Sequence, residues 1–307
     1  MLNDALTVFR QVLELFLMAS AGYLAGKKGL FSETGVKDIT TILFYIVTPA
    51  LIVASMQDNI GKVTMGNFAG AGLLSAVGMA VSILLSGCFF RKEEPGRRRV
   101  LQFACAYSNC GFVGLPLAQA VLGSEGVMYA SVFIAVYNLA VWTHGLSLMR
   151  GQKRPEWRYA VLSPGVIGLA AGFPLFAASL RLPELVLAPL RGFSDLNTPL
   201  AMIVIGYYVS RVRLRSLFRS RDLYALAAVR LLAIPAACLA ALLPFHADRA
   251  VTASVLILAA APSGANTTLF TAQFGGDVEL SSGAVTLTTM FSLVTLPLFT
   301  GLAGLLL

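Results

Sequence analysis

The stretch that decides the fold lies near the carboxyl end of the chain and reads Ala259-Ala-Ala-Pro262-Ser263-Gly264-Ala265-Asn266-Thr267-Thr268-Leu-Phe270. It sits inside a long apolar run, yet it carries a proline, a glycine, an asparagine and three hydroxyl side chains. Proline removes a backbone donor and glycine adds backbone freedom, so a helix is expected to break here. Hydrocarbon offers the freed backbone groups no partner, and such a break therefore has to be covered by protein or line a wet cavity.

A second stretch of the same kind lies about 150 residues earlier and reads Tyr107-Ser108-Asn109-Cys110-Gly111-Phe112-Val113-Gly114-Leu115-Pro116-Leu117. Two interruptions at corresponding places in two halves of a membrane chain indicate the substrate site of a transporter. The alternative is a pair of ordinary proline kinks that hold no ligand, because membrane helices often contain proline.

The composition indicates an integral membrane protein. Of the 307 residues, 57% are hydrophobic and 12% are charged, which is about half of what a soluble domain carries, and the mean hydropathy is +0.78. The apolar runs are longer than the ~10-residue strands of a membrane barrel and do not alternate, so they predict helices. The four cysteines lie in or beside apolar runs without metal-ligand spacing, and neither a metal site nor a cofactor is predicted.

Ten spans near the ~20 residues that a bilayer requires can be drawn along the chain. The predicted limits are 5–26, 36–56, 64–90, 100–121, 125–148, 160–179, 185–209, 222–244, 248–271 and 279–304.

The basic residues sort between alternate loops. Of the 23 Lys and Arg residues, 17 lie in the first, third, fifth and seventh loops and 3 in the even-numbered loops. The positive-inside rule then predicts an inner (plasma) membrane protein with both termini on the outer side. Because membrane topology accounts for the net charge of +8, no nucleic-acid partner is predicted.

Ten spans divide into two sets of five, residues 1–150 and 151–307, and an odd number of spans per set requires opposite orientations. Thr48-Pro49 in the second span recurs as Thr198-Pro199 in the seventh, 150 residues later. These pairs are predicted to kink their helices, and Asn109 corresponds roughly to Asn266. The chain is therefore predicted to be an all-α, 5+5 inverted repeat.

These residues resemble the auxin efflux carrier family, which includes bacterial carriers of malonate and related acids. The resemblance covers essentially the whole chain, and it is carried by the stretches Tyr45–Leu51, Asn109–Leu117, Pro199–Gly206 and Ala261–Asn266.

The resemblance implies a fold similar to that of bile acid symporters and sodium/proton antiporters. Spans 1, 2, 6 and 7 would form a scaffold domain, and spans 3 to 5 and 8 to 10 a transport domain that moves against it. The fourth and ninth spans would cross at their prolines, which here are Pro262 and either Pro116 or a break at Gly111–Gly114. The long central loop of some plant members is absent.

The physical chemistry of the two breaks favours a small anion. Each half-helix that restarts exposes backbone N–H groups with partial positive charge, which attract anions. The predicted substrate-binding residues are Ser108, Asn109, Gly111, Pro262, Ser263, Gly264, Asn266 and Thr267, and the predicted crossover residues are Gly114, Pro116 and Pro262. The alternative is that Asn109 and Asn266 only satisfy the broken backbone.

Charged or titratable residues inside spans are candidates for coupling. Glu14 is predicted to take part in proton coupling or to form an ion pair with Arg230, and the alternative is an interfacial carboxylate. Arg230 itself is expected to snorkel to the cytoplasmic side, with an ion pair or an anionic substrate as the alternatives. His144 is expected to be a packed or interfacial residue rather than a proton relay. Either Na+ or H+ would serve as the coupling ion.

The sequence therefore predicts a secondary carrier of a small organic anion, a mono- or dicarboxylate of the auxin or malonate type, working by an elevator-type movement. A sodium-coupled carrier similar to the bile acid symporters is the alternative, followed by a channel or a membrane-embedded enzyme. No catalytic motif or nucleotide loop supports the enzyme. The predicted partners are the lipid bilayer, a small anionic substrate and a second copy of the chain, which the apolar scaffold faces permit.

Overall fold

The computed structural model describes residues 2–151, 157–211 and 220–306, which are built from helices. The helices of the first half are α1 (Leu2–Lys27), α2 (Glu33–Ile42), α3 (Thr48–Asp58), α4 (Met65–Cys88), α5 (Pro95–Ala106), α6 (Leu115–Ala140) and α7 (Leu146–Arg150). Those of the second half are α8 (Trp157–Val161), α9 (Pro164–Ala177), α10 (Glu184–Ser194), α11 (Asn197–Arg211), α12 (Arg221–Ala228), α13 (Ile234–Leu242), α14 (Arg249–Ala260), α15 (Asn266–Gln273) and α16 (Val278–Leu306).

The described helices include 5 runs that are long and apolar enough to cross a membrane, which confirms an all-helical integral membrane protein. These runs are Glu33–Asp58, Met65–Cys88, Cys110–Arg150, Arg221–Phe245 and Val278–Leu302. Parts of the predicted fifth and seventh loops lie outside the described residues. The total of ten crossings, and the inverted repeat that depends on it, stay predictions.

Single π-helical turns allow the helices to continue through most of the prolines inside these runs. The π turns lie at Leu43–Val47, Cys110–Gly114, Val141–Gly145 and Val229–Ala233. Three of the four end two residues before a proline, at Pro49, Pro116 and Pro235. Proline has no N–H and its ring clashes with the carbonyl of the preceding turn, and an extra residue in that turn makes room for it. The chain therefore continues as a helix through these prolines.

Thr198 and Pro199 differ from the predicted kink. Helix α11 begins at Asn197, so Pro199 lies in its first turn, where a missing N–H costs little. The helix of this span is interrupted just before it, at Asp195 and Leu196. Pro199 thus lies at the start of a helix, whereas Pro49 lies within a continuous helical run, just after a π turn.

Glycines allow two pairs of helices to pack closely. Helix α1 packs against α11, and α3 packs against α9. A Cβ on Gly22 of α1 would lie 2.2 Å from the Ile203 carbonyl oxygen of α11. In the second pair a Cβ on Gly168 of α9 would lie 2.9 Å from the Cα of Pro49. Such close backbone approach is the usual contribution of small residues to helix packing in membranes.

One glycine separates the predicted fourth and fifth spans. Gly123 has φ 63° and ψ −149°, a conformation that side-chain-bearing residues rarely adopt, and it interrupts the otherwise helical run from Leu115 to Ala140. The change of direction falls in the predicted connection between residues 121 and 125. Its effect is to bring the fifth span back beside the broken stretch of the fourth, where the site described next is formed.

Candidate functional site

The two polar stretches break their helices and meet each other. The backbone N–H of Asn109 donates to the carbonyl of Pro262 at 2.7 Å, and that of Gly264 donates to the carbonyl of Tyr107 at 2.9 Å. Ser108 and Ser263 thereby face each other as an antiparallel β-bridge. The two interrupted helices satisfy part of their freed backbone by pairing with each other, which is how irregular backbone persists inside a membrane protein.

The position of the first break corrects the prediction for the crossover. Helix α5 ends at Ala106 and the π turn begins at Cys110, so the interruption spans residues 107–109. Gly114 and Pro116 instead lie in continuous helix behind it. Pro116 does not break the chain because the preceding π turn absorbs its missing donor. Pro262 does lie in the break of the ninth span, as predicted.

Gly264 permits the close approach of the two breaks. A Cβ on this residue would lie 2.8 Å from the carbonyl oxygen of Ser108 and 3.2 Å from the hydroxyl oxygen of Tyr137. Real Cβ atoms essentially never come within 3.0 Å of such an atom. Any side chain here would have to push the two strands of the bridge apart.

Arg230 holds the carbonyl ends of both broken helices. Its side chain is fully buried. Its Nε and one terminal nitrogen donate to the carbonyl of Ala261 at 2.9 and 2.7 Å. The other terminal nitrogen donates to the carbonyl of Cys105 at 2.9 Å, and the carbonyl of Ala259 accepts a further short hydrogen bond. The carbonyls of Cys105 and Ala259 belong to the last turns of α5 and α14, and Ala261 directly follows α14, so all three lie where helical partners are lacking.

This arrangement overturns two predictions. Arg230 does not snorkel to a membrane surface, because it lies at the crossing with no exposed surface. It does not pair with Glu14 either, since Glu14 is half exposed and pairs with Arg10 at 3.0 Å. The sequence reveals the charge inside an apolar helix but not the distant carbonyls that surround it.

The restarting ends of the two helices point their N–H groups at the same space. The Asn109 carboxamide oxygen accepts from the backbone N–H of Phe112 at 3.3 Å, which makes Asn109 an N-cap. Among the described residues, the backbone N–H groups of Cys110, Gly111, Ala265 and Asn266 donate to no backbone carbonyl. Four N–H groups without a carbonyl acceptor, from two helix ends, give this region a positive electrostatic character.

A cavity of about 430 Å³ lies against these ends. The asparagines of the two breaks, Asn109 and Asn266, line it together with Ser108, Gly111 and Gly264. Its other described lining residues come from the second, fifth and sixth predicted spans and are Phe44, Tyr45, Thr48, Ile134, Tyr137, Asn138, Trp142, Tyr159, Leu162, Ser163, Pro164 and Gly165, with Cys110, Phe112 and Ala265 completing the broken segments. No Asp, Glu, Lys, Arg or His is found among them, so the cavity has an aromatic wall and uncharged polar groups.

Several predicted site residues lie behind the cavity wall. Pro262, Ser263 and Thr267 are buried at the crossing and do not line the cavity. Both donors of Ser263 are already hydrogen-bonded within the protein. Its hydroxyl donates to the carbonyl of Ala104 at 2.8 Å, and its N–H donates to the Thr288 hydroxyl at 3.1 Å. The Thr267 hydroxyl is buried with no partner in the described structure.

His144 connects to the first break through one side chain. Its Nδ1 lies 2.8 Å from the hydroxyl oxygen of Tyr107, which also donates to the carbonyl of Ala140 at 3.0 Å. Tyr107 in turn accepts from Gly264 through its own carbonyl. His144 keeps an exposed surface at the end of the fifth span, and its part in coupling stays a prediction.

Of the aromatic wall, the sequence predicts Tyr137 as a lining residue but not Trp142 or Tyr159. Tyr137 lies within 3.5 Å of the Asn266 amide nitrogen, and Trp142 stacks on Tyr159 with ring centroids 5.1 Å apart. Tyrosine and tryptophan are common at membrane interfaces, so their presence at the ends of apolar runs did not separate lining residues from anchors. The spacing of residues along one helix does not predict this wall, because the wall combines residues of three different helices.

Two broken helices that cross beside a cavity define the class of protein as a membrane transporter. The model of the membrane transport protein family matches residues 7–156 and 154–300. The chain therefore belongs to this family, which is that of the auxin efflux carriers, and the resemblance seen in its motifs is confirmed.

Curated relatives align along nearly the whole chain. An "Uncharacterized transporter" of Methanothermobacter thermautotrophicus is 25% identical over 94% of this chain and 96% of its own length. A protein of Rhizobium meliloti named "Putative malonate transporter" is 23% identical over 92% of each chain. Family and relatives agree on a membrane transporter and not on an enzyme.

Proposed function

We propose that this protein is a secondary active transporter that binds a small organic anion between the crossing helices and moves it by alternating access. The observation that carries the proposal is the convergence of two helix N-termini, with Asn109 and Asn266, on one cavity of about 430 Å³. A volume of this size suits a small molecule. The charge of the ligand follows from the exposed N–H groups, which attract anions.

A carboxylate matches the donors better than a cation or a neutral solute. The described lining has no acidic side chain to hold a cation. It offers backbone N–H groups, the carboxamides of Asn109 and Asn266 and the hydroxyl of Tyr137, all able to donate to carboxylate oxygens. The aromatic wall around Trp142 would contact the apolar part of such an acid. The printed name of the Rhizobium relative is consistent with this substrate class.

The packing of the helices supports two bodies that move against each other. Span 1 packs on span 7 through Gly22 and Gly206, as span 6 packs on span 2 through Gly168 and Gly172. An inverted repeat relates span 1 to span 6 and span 2 to span 7, so the two contacts are counterparts. These four spans would form the scaffold, and the remaining six, with both crossing helices, the transport domain.

A second, much smaller cavity supports the alternation. It measures about 20 Å³ and is lined by the first, fourth, seventh and tenth spans, at Leu15, Phe16, Ala19, Val113, Leu117, Met202, Ile205, Thr289 and Leu296. In an inverted repeat, spans 1, 7 and 10 correspond to spans 6, 2 and 5, which line the large cavity. The fourth span contributes to both cavities. We infer that one cavity opens as the other closes.

The orientation follows from the charge pattern. The large cavity includes Tyr159 and Leu162, beside the basic loop between the fifth and sixth spans. The positive-inside rule assigns that loop to the cytoplasm, which makes this an inward-facing state of an inner-membrane carrier with both termini outside. A homodimer formed through the scaffold stays a prediction.

The substrate site is tested by replacing its two asparagines. Labelled malonate, lactate and indoleacetate would be offered to the purified protein in liposomes, and the transported acid used for the variants. We expect Asn109→Asp to reduce kcat/KM about 100-fold, because it keeps the acceptor for Phe112 while replacing a donor by a repelling charge. Asn266→Ala should reduce it about 10-fold, because a donor to a carboxylate is lost.

The matched control is Asn138→Ala. Asn138 lines the same cavity but donates to the carbonyl of Ile134 in its own helix at 2.9 Å. Its loss should leave kcat/KM within about threefold of wild type, since the contribution of an intrahelical hydrogen bond is small. Wild-type uptake in both Asn109→Asp and Asn266→Ala would refute the site, and failure of every acid in the panel would refute the substrate class.

Alternating access is tested by fixing the two bodies together. The Thr198 hydroxyl of span 7 lies 3.3 Å from the Gln119 carboxamide oxygen of span 4. We expect the Gln119→Cys/Thr198→Cys double variant, made in a Cys88→Ser background, to lose transport when cross-linked and to regain it on reduction. Each single cysteine variant serves as the control. Undiminished transport by the fully cross-linked protein would exclude movement between these spans.

A further inference from the structure

Arg230 is a fixed positive charge at the crossing. It is fully buried in the helical run of α12 and α13, and all its hydrogen bonds run to backbone carbonyls. In the described part of the chain no Asp or Glu forms an ion pair with it. A buried charge without a counter-charge is costly, so its retention in this position calls for a function.

The carbonyls that Arg230 contacts are those that a coupling cation would use. In carriers with broken helices, unwound carbonyls and the negative ends of half-helices coordinate the sodium ion. Here Cys105 provides such a carbonyl at the end of α5, and Ala259 and Ala261 provide others at the end of α14. The guanidinium already donates to all three, and Ala261 accepts two of its N–H groups. A sodium ion does not fit among groups engaged in this way.

The fixed charge would also act on the ligand. Ala261, held by Arg230, directly precedes Pro262, whose carbonyl accepts from the Asn109 N–H at 2.7 Å. Arg230 thus lies behind the wall that carries Asn109 and does not itself line the cavity. Its charge acts there through poorly screening, low-dielectric surroundings. A bound carboxylate would supply the missing counter-charge.

We propose that the guanidinium of Arg230 replaces the coupling sodium ion at the helix crossing, so that this carrier binds and moves its anion without sodium. The inference rests on the proposed function for its transport consequence. Arg230 is then a positioning residue, since it shapes the two breaks and their electrostatic field without touching the substrate.

The first test needs no substrate. The thermal unfolding midpoint of the purified protein would be measured in sodium, potassium and N-methylglucamine chloride at equal ionic strength. We expect the three midpoints to agree within about 1 °C, because a ligand that does not bind the native state does not shift its stability. A sodium-specific rise of about 3 °C or more would overturn the proposal.

The second test uses transport of whichever acid of the malonate, lactate and indoleacetate panel is moved. Replacing sodium by N-methylglucamine on both sides should change the rate less than about twofold, and a tenfold loss would overturn the proposal. If no acid is moved with any cation, the proposed function fails while the unfolding measurement still decides the role of Arg230.

Two variants separate charge from packing. Arg230→Gln removes the charge and should reduce transport about 100-fold, whereas Arg230→Lys, which keeps it, should retain more of the rate. If Arg230→Gln folds, its thermal unfolding midpoint should rise in sodium but not in potassium, because the freed carbonyls can then coordinate a sodium ion. A folded Arg230→Gln with wild-type transport would overturn the proposal. Should it not fold, the wild-type measurements decide.

Discussion

Gly264→Val is expected to abolish transport and to lower the thermal unfolding midpoint. The smallest addition, a Cβ, already lies 2.8 Å from the Ser108 carbonyl oxygen and 3.2 Å from the Tyr137 hydroxyl. The isopropyl group would separate Ser108 from Ser263 and break the hydrogen bonds that Asn109 and Gly264 donate across the crossing. Overpacking alone costs about 1–3 kcal/mol, and the lost buried hydrogen bonds add about 1 kcal/mol each. Uptake per reconstituted protein and the unfolding midpoint would both be measured.

Gly111→Ala is the matched control for this change. Gly111 lines the same cavity from the other broken helix, but a Cβ there would meet nothing closer than a Phe44 ring carbon at 3.7 Å. This variant should keep the unfolding midpoint of the wild type within about 2 °C, because no group has to move. Retention of wild-type transport and stability by Gly264→Val would mean that the two breaks do not depend on close contact, and the proposed site would lose its basis.

Gly206→Leu is expected to prevent the accumulation of folded protein. A Cβ at this position of α11 would lie 1.9 Å from the carbonyl oxygen of Ala19 and 2.6 Å from the backbone nitrogen of Tyr23 in α1. Neither atom belongs to a flexible side chain, so the helices themselves would have to separate. Close helix contact supplies most of the packing energy between membrane helices, and its loss should exceed about 3 kcal/mol. The yield of monodisperse protein after detergent extraction measures the effect.

Gly192→Leu provides the comparison within the same predicted span. Gly192 lies in α10, and a Cβ there has no heavy atom within 4 Å. We expect this variant to be recovered in the amount and dispersity of the wild type. Equal recovery of Gly206→Leu and Gly192→Leu would contradict the close packing of α1 on α11, and with it the scaffold that we propose.

The sequence by itself determined the membrane character, the helical class, the family and the two stretches in which helices break. The physical reason is that hydrocarbon imposes a local constraint, because each backbone group has to find a partner within its own helix. A cluster such as Pro262, Ser263 and Gly264 inside an apolar run can therefore be recognised without knowledge of any other segment. The same reasoning located Asn109 beside the first break.

Only the tertiary structure decided which groups complete those breaks. Pro116 is the conspicuous residue of the fourth span, yet the interruption lies at residues 107–109, where the Asn109 N–H finds the carbonyl of Pro262 across the crossing. Arg230 is visible as a charge in an apolar helix, but its partner Cys105 lies 125 residues away along the chain. Such contacts depend on how distant helices approach one another, and residue spacing within a single span does not predict that approach.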